Sequence, residues 1–360
     1  MTTDSTRTIL ITGGAGFIGS TLALRLAASH PDWVVVAFDN LHRRGSELNL
    51  PRLRAGMVRF VHGDVREPED LRAVGPFDAL VECSAEPSAM AGVDGATGYL
   101  IRTNLLGAYN CLEAAAGHRA QIVFLSSSRV YPVAALRKLS LRETDTRFEL
   151  AAEQCLPGVS AHGVAEGFPM DGARTLYGAS KLSAELLVYE YAECFGLATV
   201  VNRCGVVAGP WQMGKVDQGV FTHWMLAYHF ELPLAYIGFG GDGKQVRDLL
   251  HVADLADLVD EQLMQPERWA GAVVNVGGGI DVSLSLVETS ALCEQITGNS
   301  LRVAAVQETR AGDVPIYVSD CRALGRFSDW SPRRGAREIL EEIHTWIQAN
   351  ERALAGTLRR

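Results

Sequence analysis

No run of about 18 apolar residues, the length a membrane helix needs, occurs anywhere in the sequence, so a transmembrane anchor is not expected. The opening stretch, Met1 to Thr8, is polar and lacks the apolar core of a secretory leader, which points to a cytoplasmic protein. Cysteines are few and badly placed for cross-linking. The seven, at positions 83, 111, 155, 194, 204, 293 and 321, are odd in number and no two are spaced C-x-x-C. A disulfide framework, a zinc knuckle and a metal cofactor are therefore not expected. Basic residues are also in deficit, 33 against 42 acidic ones, for a net charge of −9. That excludes a general nucleic-acid binder, though a local basic pocket can still hold a small anion. Internal repeats and low-complexity stretches are absent. What is there is ordinary globular material, 360 residues of which 48% are hydrophobic and 21% charged, long enough for about two domains.

Short apolar runs alternate with helical patterns through the first 200 residues. Ile9 to Ile11, Trp33 to Phe38, Met57 to His62, Asp78 to Cys83, Gln121 to Leu125 and Leu197 to Val201 read as strands. Helical patterns follow Gly19, span Tyr99 to Ala116 with Gly117 as the expected stop, and span Tyr177 to Phe195 before Gly196. Apolar strands alternating with helices imply an α/β fold with a doubly wound parallel sheet of Rossmann type. Ligands of such sheets bind beyond the carboxyl ends of the strands. Those ends carry Thr12-Gly13, Asp39, Asp64, Ser84 and Ser126-Ser127. After residue 204 the alternation loosens. The expected division is residues 1–203 with about 246–278 as the nucleotide-binding domain, and about 204–245 with 279–360 as a smaller interleaved substrate domain.

Three constellations carry chemistry. Gly14-x-Gly16-x-x-Gly19, or Gly13-x-x-Gly16-x-x-Gly19, follows a strand and opens a helix. Glycines there permit a tight turn and close approach of a pyrophosphate, and the helix start supplies amide donors. Asp39, 20 residues past Gly19, suits the ribose hydroxyls of NAD and repels the extra phosphate of NADP, with Arg43 and Arg44 nearby as the competing signal. Tyr177-Gly178-Ala179-Ser180-Lys181 places a phenol and an ammonium one helical turn apart, and the cation favours tyrosinate. Ser127, 50 residues earlier at a strand end, offers a hydroxyl to a sugar oxygen.

Gly13 to Gly19, Asp39, Asp64-Val65, Ser126-Ser127, Tyr177-x-x-x-Lys181 and Arg247-Asp248-Leu249-Leu250-His251 together resemble the extended short-chain dehydrogenase/reductase family, in its branch of NAD-dependent nucleotide-sugar epimerases and dehydratases. The resemblance implies Ser127, Tyr177 and Lys181 as catalytic residues. For NAD it implies Gly13, Gly16, Phe17, Ile18, Gly19, Asp39, Asn40, Asp64, Val65, Ser84, Ala85, Asn104, Tyr177, Lys181 and Cys204. For a nucleotide-sugar substrate it implies Glu86, Ser127, Arg129, Gln218, Arg247 and Arg310, the last two matching arginines that grip the phosphates. A homodimer is implied too, through the helices around Tyr99–Ala116 and Tyr177–Phe195.

Departures from the family narrow the reaction. Dehydratases of this kind carry Thr-Asp-Glu where this chain has Ser127-Ser128-Arg129, so the acid and base that remove water are missing. The fourth strand ends Glu82-Cys83-Ser84-Ala85-Glu86 in place of the usual His-Leu-Ala-Ala. Asp217-Gln218-Gly219, Gly243 to Asp248 and Asn275 to Gly278 resemble the subgroup of CDP-paratose/CDP-tyvelose 2-epimerases. The expected reaction is epimerisation by transient hydride transfer, with a UDP-hexose-type 4-epimerase, a nucleotide-sugar oxidoreductase and a non-catalytic dinucleotide binder as alternatives. The segment between Ser127 and Tyr177 is charged and longer than a simple 4-epimerase needs; a solvated flap is one reading of it, and its role stays open.

Overall fold

The computed structural model describes residues 6–88, 90–92, 95, 97–214 and 218–358, with side chains through residue 355. Seven strands form one parallel sheet: β1 (Thr8–Thr12), β2 (Val34–Asp39), β3 (Arg59–His62), β4 (Ala79–Glu82), β5 (Gln121–Ser127), β6 (Thr199–Cys204) and β7 (Ala272–Val276). Their order is β7-β6-β5-β4-β1-β2-β3, so the chain reverses direction across the sheet between β1 and β4. Both faces are apolar because both are covered. Helices α1 (Phe17–Ser29) and α4 (Val252–Met264) close one face over Ile9, Ile11, Val81, Val123 and Val200. Helices α2 (Gly107–His118) and α3 (Leu176–Phe195) close the other over Leu10, Leu80, Ile122, Phe124 and Val201. This is the doubly wound arrangement expected from the alternating pattern.

A second lobe holds a four-stranded sheet from Val206–Ala208, Val246–His251, Ser283–Ser285 and Ile316–Tyr317. Helices Val220–Phe230, Leu286–Thr297 and Ala336–Ala349 bury Trp224, Met225, Ile339, Ile343 and Ile347 beside it. The strand at Val246 therefore pairs within the small sheet, and the chain returns to the large one with α4, not at residue 246. An apolar strand fits either sheet by its pattern alone, so only the pairing decides.

Three local readings are corrected. The helix around Tyr99–Ala116 is not continuous: Thr97–Ile101 is followed by a π-helical stretch, Arg102–Leu106, before α2 begins. Helix α2 runs through Gly117 and stops at Arg119, whose φ of 53° is left-handed. The exit is fixed by Ala120, whose amide bonds the Ala115 carbonyl and whose side chain is buried, not by glycine's freedom. Nor is the segment after Ser127 a loose flap. Its hairpins, Leu141–Glu143 with Phe148–Leu150 and Val159–Ser160 with Gly163–Val164, lie over a core of Val130, Tyr131, Leu136, Phe168, Val246 and Ile316. Arg147 ties it to Glu288 at 3.4 Å, and the Phe148 amide donates to the Lys244 carbonyl at 3.0 Å.

Candidate active site

The turn from β1 into α1 is built so that only glycine fits. Gly13 has a φ of +62°, and a Cβ there would lie 2.8 Å from the Cys83 carbonyl oxygen. A Cβ on Gly19 would lie 2.2 Å from the Gly13 carbonyl oxygen, so the first turn of α1 rests directly on the loop. Gly16 caps α1 without a side-chain hydrogen bond, which leaves the N-terminal amides for a ligand. Asp39, at the end of β2, accepts from the Ala15 amide at 3.0 Å and the Leu41 amide at 2.8 Å. Burial raises its pKa against those bonds. Arg43 turns to the Met213 carbonyl at 3.2 Å, and Arg44 is exposed. Asn40 donates to Asp64 at 2.9 Å. Burial pushes the Asp64 carboxyl up, but the Arg66 and Asn40 hydrogen bonds outweigh it and hold the pKa at about 2. Val65 places its side chain in the core beneath α2 and so does not face the cavity. Ser84, buried next to the glycine turn, has an Oγ with no protein partner, and Ala85 follows half-buried. A side-chain-free cradle, uncapped amides, an acid at the β2 end and an orphaned hydroxyl fit a dinucleotide.

Helix α3 delivers the second cluster. Thr175 caps it by accepting from the Gly178 amide at 3.2 Å. A Cβ on Gly178 would lie 2.1 Å from the Arg129 carbonyl oxygen, so the helix start packs against the chain leaving β5. That contact brings the Tyr177 phenol beside the Ser127 hydroxyl, close enough for the hydroxyl to favour the phenolate. Ser127 also accepts from the Arg129 amide at 3.2 Å. Burial pushes the Tyr177 phenol up, and Lys181 and the neighbouring Ser127 hydroxyl pull it back only in part. The expected lowering by Lys181 is present but does not win. Burial of the phenol outweighs it. The Lys181 ammonium itself lies 3.4 Å from Glu82, with both side chains nearly inaccessible, and 4.2 Å from the Phe124 ring centre. Asn104, in the π-helical stretch, accepts from the Glu86 amide at 2.7 Å and donates to Ser180 at 3.2 Å, locking the loop after β4 to α3. Cys204 pairs in register with Ser127, and burial pushes its thiol up to about 12.

Between the lobes lies a cavity of about 580 Å³. Phe17, Ile18, Ser126 to Arg129, Tyr177 and Cys204 line one side; Gln218, Arg247 and Arg310 line the other. Arg247 donates to the Val246 carbonyl at 2.7 Å and the Val314 carbonyl at 2.8 Å. Burial, with Arg129 nearby, lowers its pKa to about 10. Arg129 donates to the Gly312 carbonyl at 3.0 Å, and the Gln218 Oε1 is buried without a partner. Glu86 is not on the wall; its carboxylate turns back to the Ser88 amide at 3.2 Å. Asp217 lies outside the described residues. Sequence reasoning missed Glu185 and Arg203, paired at 2.8 Å beneath α3, and the cavity residues His223, Trp224 and Asp313. Only the unusual Glu82 left a signal in the sequence.

Residues 9–277 match the profile of the NAD dependent epimerase/dehydratase family. A CDP-paratose 2-epimerase from Salmonella typhi is 31% identical over 350 residues, covering 95% of this chain and 99% of that protein. The chain belongs to this family. Among solved structures, the UDP-glucose 4-epimerase of Thermus thermophilus in complex with NAD superposes with a TM-score of 0.75 at 25% identity, covering 95% of this chain and 99% of the other. The dTDP-glucose 4,6-dehydratase DesIV of Streptomyces venezuelae, with NAD and TYD bound, superposes at 0.76 and 25% identity, covering 97% and 99%. NAD is thus the cofactor of the family, and the glycine turn, Asp39 and Ser84 are the features of this chain that could hold it. Among the described residues no helix is long and apolar enough to cross a membrane, and no cluster of ligands could hold a metal ion.

Proposed function

We propose that the chain is an NAD-dependent epimerase of a nucleotide-activated sugar, acting at C2 as in the CDP-paratose 2-epimerase it resembles. One observation separates it from the dehydratases. Ser128 and Arg129 line the cavity beside Tyr177, and among the described lining residues Asp313 is the single acid. Asp313 lies near Arg247, at the second lobe. Among the described residues, none of Ser126 to Arg129 beside Tyr177 carries a carboxyl group to expel water.

Bound NAD supplies a hydride acceptor that takes the hydrogen of a sugar carbon and gives it back. The protein does the rest. Tyr177 removes the proton of the sugar hydroxyl, and Ser127 donates to the same oxygen. Tyr177 acts as the phenolate, whose charge Lys181 offsets until the sugar proton neutralises it. The keto sugar turns within the cavity while Arg247 and Arg310 hold the diphosphate; a guanidinium fork suits that task. Tyr177 then returns the proton. Asp39 sets the choice of NAD over NADP. The substrate domain is the lobe carrying Gln218, Arg247 and Arg310. Leu106 at the end of the π-helical stretch, Tyr109 on α2 and Leu186 on α3 are exposed and support pairing of two copies across these helices, and light scattering should read a dimer.

Incubation with CDP-paratose, and separately with UDP-glucose, tests the reading. Product of unchanged mass, without accumulating NADH, supports an epimerase, and the substrate that turns over fixes C2 or C4. Product lighter by one water would contradict it.

A further inference from the structure

Glu82 has no role in the reaction as described, yet it is the closest charge to the catalytic lysine. Strand alternation turns it to the face of β4 covered by α2 and α3. There its carboxylate lies 3.4 Å from the Lys181 ammonium, and the two side chains are 4% and 2% exposed. The Phe124 ring closes the other side of the ammonium. The remaining titratable neighbours are Tyr177 on α3, Cys83 next in the chain, Cys111 on α2 and Cys204 on β6, with Arg129 facing Tyr177. Burial pushes all three thiols up, so they stay neutral near pH 7. Lys181 is then the charge that acts on the phenol, and Glu82 is its buried partner; burial raises the Glu82 pKa and the ammonium pulls it back.

We propose that Glu82 is a positioning residue that holds the Lys181 ammonium against the sheet and cancels its charge, so that Tyr177 releases its proton at higher pH than a tyrosine–lysine pair alone would allow. The inference rests on Tyr177 being the acid–base group. Without Glu82, loss of one proton takes the buried pair from +1 to neutral. With Glu82 it takes the cluster from neutral to −1, and a desolvated pocket resists the second change more. The direction is the same whichever of Tyr177 and Lys181 keeps the remaining proton. Burial would lower the Lys181 pKa, but Glu82 and Tyr177 reverse that and raise it, in keeping with a lysine that stays charged. The chemistry has a use for a tightly held proton. Epimerisation needs Tyr177 as an acid on the return as much as a base on the way out.

The test is the tyrosinate absorbance of Tyr177, taken as the difference between wild type and Tyr177→Phe across pH, together with the pH profile of kcat/KM. Glu82→Gln should move both midpoints down by about one pH unit or more, while Glu82→Asp should leave both near wild type. Unchanged midpoints in a folded Glu82→Gln protein would overturn the proposal. Wild-type turnover in Tyr177→Phe would instead overturn the acid–base reading and leave the absorbance shift to report on Glu82 by itself. Should Glu82→Gln fail to fold, carbon-13 NMR of the wild-type glutamate carboxyls decides. Glu82 should be ionised throughout the pH range in which activity rises, and a protonated Glu82 there would overturn the proposal.

Discussion

Glu185 sits on α3 one turn beyond Lys181 and is fully buried. Its carboxylate accepts from Arg203 Nη2 at 2.8 Å and Nε at 3.1 Å, from Tyr189 at 3.1 Å, and from Ser126. Arg203, on β6, is 6% exposed, so Glu185→Ala leaves a guanidinium without its counter-charge in the interior. Breaking such a pair costs about 3–5 kcal/mol. Unfolding entropy is about 2.1 cal/mol/K per residue, which over 360 residues gives about 0.75 kcal/mol/K. The midpoint of thermal unfolding should therefore fall by about 4–7 °C. Ser126 precedes Ser127, so activity should fall as well, because the same carboxylate seats α3 against the end of β5. Replacing both partners, Glu185→Leu with Arg203→Met, should recover most of the lost stability, since an apolar pair needs no counter-charge. Scanning calorimetry of the single and double variants checks this. A Glu185→Ala midpoint within one degree of wild type would refute the account of how α3 is held.

Gly19→Ala should weaken NAD binding tenfold or more, about 1.4 kcal/mol, because the added Cβ meets the Gly13 carbonyl oxygen at 2.2 Å and the cradle must open; calorimetric titration with NAD measures it. Asp248 is fully buried, and burial, only partly opposed by bonds from Ser319 and Gly279, raises its pKa from 3.8 to about 6. Its protonated form is thus favoured in the folded state, so the stability it contributes is full below the unfolded pKa and lost as pH rises through about 6. Asp248→Asn should flatten the stability profile between about pH 4 and 6, a difference on the order of 3 kcal/mol that urea unfolding at the two ends would measure.

The large sheet was legible because its strands are buried on both faces and read as unbroken apolar runs between helices. The glycine turn, Asp39, and the Tyr177–Lys181 spacing were legible because each is local: a few residues fix the geometry. What was not legible depends on distant partners. Asn104 gains its place from a π-helical turn that no periodicity announces. The two- and three-residue strands after Ser127 are too short to show alternation, and their anchoring to Ile316 and Lys244 crosses more than 90 residues. Nothing in the helical pattern singles out Glu185 until β6 brings Arg203 beneath it. Glu82 stood out only as a departure from the pattern, and its pairing with Lys181, 99 residues away, is a property of the folded chain.

The central claim is that hydrogen leaves one carbon of a nucleotide sugar and returns to the same carbon from the other side. Substrate carrying deuterium at the inverted carbon, turned over in ordinary water and read by mass spectrometry and NMR, tests it directly. The account predicts product of the same mass with the label kept at that carbon. Deuterium lost to solvent would mean deprotonation beside a carbonyl, and would contradict the mechanism.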